Sequence, residues 1–224
     1  MSIEKCHKWR SLILALICIT SVSVLAERDS ISDPVLQFYC QKARTICTER
    51  NPIEQGVSFS FTATTYIKKL DRHGEVTSID TATADLFFSH GKLDSQMSTV
   101  LPDGAFSSPE LAYPNVFDSD YRFNLFPNDT GGAYLAIGFD SDSADDPRPV
   151  GLAIIDRYDY CMHRLYLFYP QREGFKRFSR IFHFVEQSGY IFPDFISEVA
   201  VKTGIFSSDH YRREIVISNI KIYR

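Results

Sequence analysis

Glycine and proline are scarce, with 11 and 10 residues among 224. This scarcity excludes collagen-like and low-complexity chains, which are rich in both residues. Basic residues are not in excess either, since 24 Lys and Arg face 28 Asp and Glu, a formal net charge of −4. Nucleic-acid binding depends on clustered positive charge that neutralises phosphates, so the composition argues against a nucleic-acid partner. What the sequence does contain is 44% hydrophobic residues, which is typical of a globular protein.

Long hydrophobic runs are absent except near the start of the chain. Three basic residues precede an uncharged run over residues 11–26, which ends in the small residue Ala26. The run is shorter than the roughly 20 residues that a membrane-spanning helix needs, and its ending matches a signal-peptidase site. We therefore expect residues 1–26 to be a signal peptide cleaved near Ala26, and the protein to be periplasmic or secreted. Residues 27–224 are expected to form a single domain.

Residues 34–50 have the periodicity of an amphipathic helix. Pro34 suits the first helical position, and the Asn51-Pro52 pair takes the chain out of the helical region. Apolar side chains recur every three or four residues, as expected for one buried face. They are Val35, Leu36, Tyr39, Cys40, Ala43, Ile46 and Cys47.

From residue 57 the apolar period changes to two, which is typical of a half-buried strand. Turn residues near positions 71–74 and 90–91 predict a meander of three antiparallel strands. Further strands are predicted near residues 133–139, 151–156, 161–169, 175–185, 195–206 and 211–223. Residues 195–206 also fit a helix, but their alternation favours a strand. The expected fold is α+β: a curved antiparallel sheet of eight or nine strands, with the N-terminal helix and a helical or loop cover on its concave face.

Residues 101–130 form an insertion rich in proline and aromatic residues. The prolines exclude a central strand, and so many aromatic side chains must cover something. Two interpretations fit: a movable lid over the concave face, or rings that complete the core. The aromatic residues of this insertion are Phe106, Tyr113, Phe117, Tyr121, Phe123 and Phe126.

Three cysteines follow the predicted signal peptide: Cys40, Cys47 and Cys161. Seven residues of helix place Cys40 and Cys47 about 10.5 Å apart, which is too far for a disulfide between them. Either one helix cysteine pairs with Cys161 and fastens the helix to the sheet, or all three are buried free thiols.

Recognisable metal and catalytic motifs are absent from the sequence. The acidic stretch 140–146 begins like a calcium loop, but Ala144, Asp145 and Gly151 occupy positions that need other residues. No H-E-x-x-H pair and no G-x-S-x-G elbow occur. We therefore expect no metal, no cofactor and no enzymatic activity.

One basic cluster stands out, formed by Arg172, Lys176, Arg177 and Arg180 around two phenylalanines. Two interpretations fit: it contacts anionic lipid or a membrane surface, or it is a solvated hairpin.

Several segments together resemble a known family. Residues 150–156, 164–168 and 177–180, followed by the step from Gly189 to Pro193, resemble the periplasmic outer-membrane lipoprotein-sorting superfamily. The resemblance implies a curved antiparallel half-barrel with helices filling its concave side. It also implies a protein that shelters acyl chains or another apolar ligand in an aqueous compartment.

The functional prediction is an exported carrier that binds a lipid, a lipoprotein acyl chain or another apolar small molecule. Phe59 and Phe61 on the first strand, with the six aromatic residues of the insertion, are the predicted lining and lid of its cavity. The alternatives are a structural or protein-interaction domain of the cell envelope with a filled sheet, and a hydrolase whose site the sequence does not reveal.

Overall fold

The computed structural model describes residues 33–98, 113–117, 121–126, 132–141, 146–202 and 210–223. The predicted signal peptide, Phe106 and much of the 101–130 insertion lie outside the described residues. Within the described residues, no helix combines the length and the apolar character needed to cross a membrane.

One helix and one antiparallel sheet make up the fold. Helix α1 spans Pro34–Glu49. The strands are β1 Ser58–Leu70, β2 Val76–Ser89, β3 Lys92–Ser98, β4 Tyr121–Phe126, β5 Tyr134–Ser141, β6 Val150–Asp156, β7 Met162–Tyr169, β8 Phe175–Gln187, β9 Tyr190–Lys202 and β10 His210–Tyr223. They form a single ten-stranded sheet in the order β3-β2-β1-β10-β9-β8-β7-β6-β5-β4. The α+β prediction is confirmed.

Strand β4 falls within the proline-rich insertion. It was not predicted, and it brings the number of strands in the sheet to ten. It pairs with β5 alone and forms one edge of the sheet. The edge position agrees with the exclusion of a central strand, because an edge strand hydrogen-bonds on one side only. Residues 121–126 are therefore part of the sheet, while residues 113–117 pack against it.

Helix α1 follows its predicted apolar face. Leu36, Cys40, Ala43 and Cys47 are buried, at the spacing of one helical stripe. Beyond the helix, the Asn51 side chain accepts a hydrogen bond from the Ile53 N–H at 3.0 Å. This local bond replaces the helical pattern and turns the chain towards β1.

The buried faces of the strands meet in one core. In β1 the buried side chains alternate with half-buried ones from Phe59 to Thr65. One contiguous cluster joins α1 to buried residues of nine strands. In the spatial order of the sheet these run from β2 at one end to β4 at the other. A flat sheet of ten strands would be about 43 Å wide, whereas a helix is only about 10–12 Å across. The sheet must therefore curl around its cover, and the face that carries this cluster is its concave face.

No disulfide joins Cys161 to either helix cysteine in the structure. Cys40, Cys47 and Cys161 are all buried and free, as the alternative interpretation held. The sulfur of Cys161 instead accepts a hydrogen bond from Arg50 Nη1 at 3.0 Å. The neighbour of the Cys161 sulfur is therefore the guanidinium group of Arg50 and not a second thiol.

Candidate functional site

A small apolar hollow lies on the concave face, at the end of the sheet where β1 and β9 begin. Its volume is about 20 Å³. The wall is apolar and aromatic except at Asn51, and it consists of Asn51, Pro52, Ile53, Phe59, Phe61, Tyr113, Ile191, Phe192, Pro193 and Ile217. The turn after α1 closes the hollow on one side, and the concave face of the sheet forms the other.

Stacked rings form the floor of the hollow. The Phe59 ring stacks on Phe88 with 4.6 Å between centroids and meets Phe192 edge-on at 5.2 Å. Tyr113 packs edge-on against Phe184 at 4.7 Å. Burial raises the pKa of the Tyr113 hydroxyl well above its usual range, so this residue remains neutral. The floor therefore offers an apolar surface with fixed ring geometry.

Three of the sequence-predicted cavity residues meet at this hollow: Phe59, Phe61 and Tyr113. The first two were predicted from the alternation in β1, and Tyr113 comes from the insertion. Phe106 lies outside the described residues.

The remaining predicted residues lie elsewhere. Phe117 stacks on Phe123 with 6.2 Å between centroids, and Tyr121 meets Phe139 edge-on at 5.4 Å. These contacts belong to the core near the β4 edge. Because side chains alternate along a strand, Phe126 lies on the opposite face of β4 from Tyr121 and Phe123. It does not line the hollow.

The hollow is smaller than a ligand site. Pockets for drug-sized ligands have volumes of about 300–1,000 Å³, against the 20 Å³ found here. In this conformation α1 and residues 113–117 fill the concave face, and Val116 and Phe117 are buried against it. A chain-like ligand therefore requires displacement of this cover.

Arg50, directly after α1, fastens the cover to the sheet. Its carbonyl oxygen accepts a hydrogen bond from the Ile191 N–H at 2.8 Å. Its Nη1 atom donates to Glu186 Oε2 at 2.9 Å and to the Cys161 sulfur at 3.0 Å. The end of α1 is thus tied to both β8 and β9.

The same place holds a group of potential metal ligands. Donor atoms of Asp159, Cys161 and Glu186 lie within 4.8 Å of one another. The positive charge among them comes from Arg50, which donates to two of the three. Burial raises the pKa of Cys161 to about 12, whereas a metal-binding or nucleophilic cysteine has to be a thiolate. The geometry favours a structural tie.

The other end of the concave face is charged. Glu198 in β9 lies opposite Arg180 in β8 and Arg213 in β10. Glu198 Oε2 accepts hydrogen bonds at 2.9 Å from Arg180 Nε and Arg213 Nη2, and Oε1 accepts one at 3.2 Å from the Tyr211 hydroxyl. The side chains of Arg180, Arg213 and Glu198 are only 10%, 12% and 5% exposed. The concave face thus has an apolar end and a polar end.

Solved structures include some that are similar to this chain. No protein-family model matches the chain, and no curated protein matches it. Solved structures similar to it include a LolA superfamily protein from Nitrosomonas europaea, 10% identical with a TM-score of 0.42, covering 84% of this chain and 94% of that one. A putative outer membrane lipoprotein-sorting protein domain from Vibrio parahaemolyticus is 15% identical, with a TM-score of 0.38 and coverages of 82% and 93%. A DUF1329 family protein from Desulfovibrio piger is 10% identical, with a TM-score of 0.45 and coverages of 85% and 94%.

The charged end of the concave face was missed by sequence reasoning. Arg180 was placed in a surface basic cluster, although it alternates with the buried Phe178 and Phe182. That alternation was the available signal. Its partners Glu198 and Arg213 are identified only through the strand register.

Proposed function

We propose that this protein is an exported carrier that binds a lipid, an acyl chain or another apolar molecule on the concave face of its sheet, without enzymatic activity and without a cofactor. One observation supports the proposal most directly: the floor beneath the cover is a continuous apolar surface with a hollow at Phe59, Phe61 and Phe192. We also propose that residues 1–26 direct the chain to the periplasm or the exterior.

A ligand chain and the cover compete for the same apolar floor. A fourteen-carbon chain gains on the order of 10 kcal/mol on burial, at about 0.8 kcal/mol per methylene, before the entropy of binding is deducted. Helix α1 buries one large aliphatic side chain, Leu36, which contributes about 1.5–3 kcal/mol. The other three buried residues are Cys40, Ala43 and Cys47, which are small. On burial alone these four side chains gain less than a long apolar chain does, and Tyr39, Ile46, Val116 and Phe117 add to what the ligand has to displace.

The contacts of Arg50 with Glu186, Cys161 and Ile191, called the Arg50 tie below, make the proposal testable. An exposed ion pair contributes about 0.2–1 kcal/mol, so Arg50→Gln should favour displacement of the cover and tighten the apparent binding of a neutral lipophilic dye by about two- to fivefold. Glu49→Gln, one residue earlier and exposed, is the matched control and should leave the affinity unchanged. Native mass spectrometry of the purified protein should detect bound lipid. Absence of both lipid and dye binding, in the wild type and in the Arg50 variant, would refute the carrier.

The small volume of the hollow favours a second candidate, a protein-interaction domain of the cell envelope with a filled sheet. In that case Arg50→Gln destabilises the fold without creating an affinity for dye. The dye titration therefore distinguishes the two functions. Arg50→Gln should tighten dye binding if the protein is a carrier and should produce no dye binding if it is an interaction domain.

A further inference from the structure

The sheet forks between β9 and β10. The ladder between these two strands ends at the pair of Phe195 with Val216. Beyond that pair, the last residues of β10 remain paired with β1, and the first residues of β9 remain paired with β8. Residues 190–194 and 217–223 are therefore the two limbs of a fork, and in the described part of the chain no ladder pair joins them.

Both strands carry a bulge where they separate. In β9, a shift in register leaves Asp194 without a ladder partner in β8, and in β10, residues 219–220 lie opposite Phe61 alone. A bulge bends its strand and disrupts pairing. Pro193, next to the first bulge, has no N–H to donate to a neighbouring strand. The sequences of both strands therefore favour an open fork over a closed ladder.

Backbone groups of the limbs find partners outside the strand ladders. The Ile191 N–H donates a hydrogen bond to the Arg50 carbonyl oxygen at 2.8 Å, which is part of the Arg50 tie. The Ile220 carbonyl oxygen accepts one from Gln187 Nε2 at 3.2 Å. Backbone polar groups that leave a ladder need such partners when they are withdrawn from water. These bonds allow the limbs to stay apart in the folded protein.

Two cavities lie along the fork. The hollow lies at its inner end, where Pro193 of one limb and Ile217 of the other are among its walls. A larger groove, of about 710 Å³, lies at the open end between Tyr190 and Ile222. Pockets for drug-sized ligands have volumes of about 300–1,000 Å³. The groove, unlike the hollow, is therefore as large as a ligand site.

The turn after α1 separates the groove from the hollow. Its residues 51–53 line the hollow, and its residues 55–57 line the groove. Three side chains of the groove, Val57, Tyr190 and Ile222, pack against the core cluster of the concave face. Displacement of this one turn would therefore join the two cavities into an apolar path from solvent to the floor.

This path is easier to open than one through the helix. Helix α1 buries four side chains, whereas among residues 51–57 only Pro52 is buried. The free energy needed to lift a segment rises with the apolar area that it buries. A ligand that enters through the fork therefore has to move less buried surface at the start than one that lifts α1.

We propose that the fork between β9 and β10 is the entrance of the carrier. The acyl chain of a lipid enters end-on through the groove, displaces the turn 51–57 and reaches the concave face at the hollow. This inference rests on the proposed carrier function and specifies the route of its ligand.

The test closes the groove reversibly and measures the rates of ligand exchange. Ser188 lines the groove and is exposed, so Ser188→Cys can be modified with a methanethiosulfonate nitroxide, whose ring is removed again with dithiothreitol. Stopped-flow fluorescence of parinaric acid, a long-chain fatty acid, gives the association and dissociation rate constants. Wild-type protein treated with the same reagent controls for the three native thiols, which are buried.

Ser78→Cys is the matched control for the modified variant. Ser78 is exposed and pairs with Lys69, which lies about 35 Å along β1 from Ser58 at the groove. The same nitroxide attached there should leave the exchange rates as they are in the wild type.

A group that blocks an entrance raises the barriers to entering and to leaving by the same amount. Modified Ser188→Cys should therefore associate and dissociate more slowly by at least about fivefold each, with a dissociation constant within about twofold of the wild type. Dithiothreitol should restore both rates.

The other outcomes overturn the inference in distinguishable ways. Unchanged rates in modified Ser188→Cys would refute the entrance and leave the carrier intact. A weaker affinity with an unchanged association rate would also refute it, because a damaged site or fold alters the equilibrium and not the route. Equal slowing in modified Ser78→Cys would show that the effect does not depend on the groove. Absence of parinaric acid binding to the wild type would refute the carrier function and this inference together.

Discussion

Replacing Glu198 with glutamine tests the charged end of the concave face most directly. The Glu198 side chain is 5% exposed and accepts hydrogen bonds from Arg180, Arg213 and Tyr211. Glutamine keeps the size of the side chain and one acceptor oxygen, but it removes the negative charge and replaces the second oxygen with a donor. Two largely buried guanidinium groups then lose their common counter-charge.

The expected loss of stability is large. Breaking a buried ion pair by removing one partner costs about 3–5 kcal/mol, because the remaining charge is left without compensation. Glu214→Gln is the matched control on the neighbouring strand β10: Glu214 forms an ion pair with Lys68, and the two side chains are 21% and 22% exposed. For such a pair the loss is about 0.2–1 kcal/mol.

Urea unfolding followed by circular dichroism measures the difference. With a slope of about 2 kcal/mol/M, Glu198→Gln should lower the midpoint by about 2 M, and Glu214→Gln by no more than about 0.5 M. The slope should remain unchanged if both variants keep the native fold. Combining Glu198→Gln with Arg213→Gln should recover part of the loss, since the double variant removes one of the two guanidinium groups that lose the Glu198 carboxylate.

Equal losses in the two single variants would refute the reasoning, because burial would then have no influence on the free energy of the pair. A double variant no more stable than Glu198→Gln alone would show that Arg213 is not destabilised by the missing carboxylate.

Two further predictions concern the turn beneath α1 and the buried thiols. Gly91 has a φ of +74°, and an added Cβ would lie 2.2 Å from the Ile53 carbonyl oxygen, so Gly91→Ala should cost at least about 1–3 kcal/mol in a urea titration. Gly189→Ala, with a φ of +85° and open space around it, should cost less, and equal costs would contradict the close approach. Burial raises the pKa of Cys47 from 9.0 to about 12. Since the unfolded thiol loses its proton first, this group should lower the free energy of unfolding by about 1.4 kcal/mol per pH unit as the pH rises from 9 to 12. Cys47→Ala should show a shallower decline, and an identical decline would refute the role of this thiol.

Local periodicity was enough to predict most of the fold. The three- and four-residue spacing of α1 and the alternation in β1 depend on neighbours in sequence, so both elements appear where they were expected. The ambiguous stretch 195–206 was assigned to a strand, and β9 extends through Lys202. The predicted start at residue 195 was too late, since β9 begins at Tyr190. Pro193 lies inside β9 at a shift in the register with β8, where a missing N–H is tolerated.

Features that depend on contacts between distant segments were not predicted. The edge strand β4 is short, and its proline-rich flanks gave no strand pattern. From the sequence the Cys161 thiol was either bridged to a helix cysteine or free, and neither interpretation included its contact with Arg50, a residue 111 positions away. The pairing of Arg180 with Glu198 follows from the β8–β9 register. A change of register by one residue would have placed these charges on opposite faces.

The contacts of Arg50 also indicate which apolar ligands the proposed carrier would favour. They hold the cover at the end of the concave face where the hollow lies. Loosening them should consequently favour long chains over short ones, because a long chain buries more methylene groups on the floor that the cover leaves.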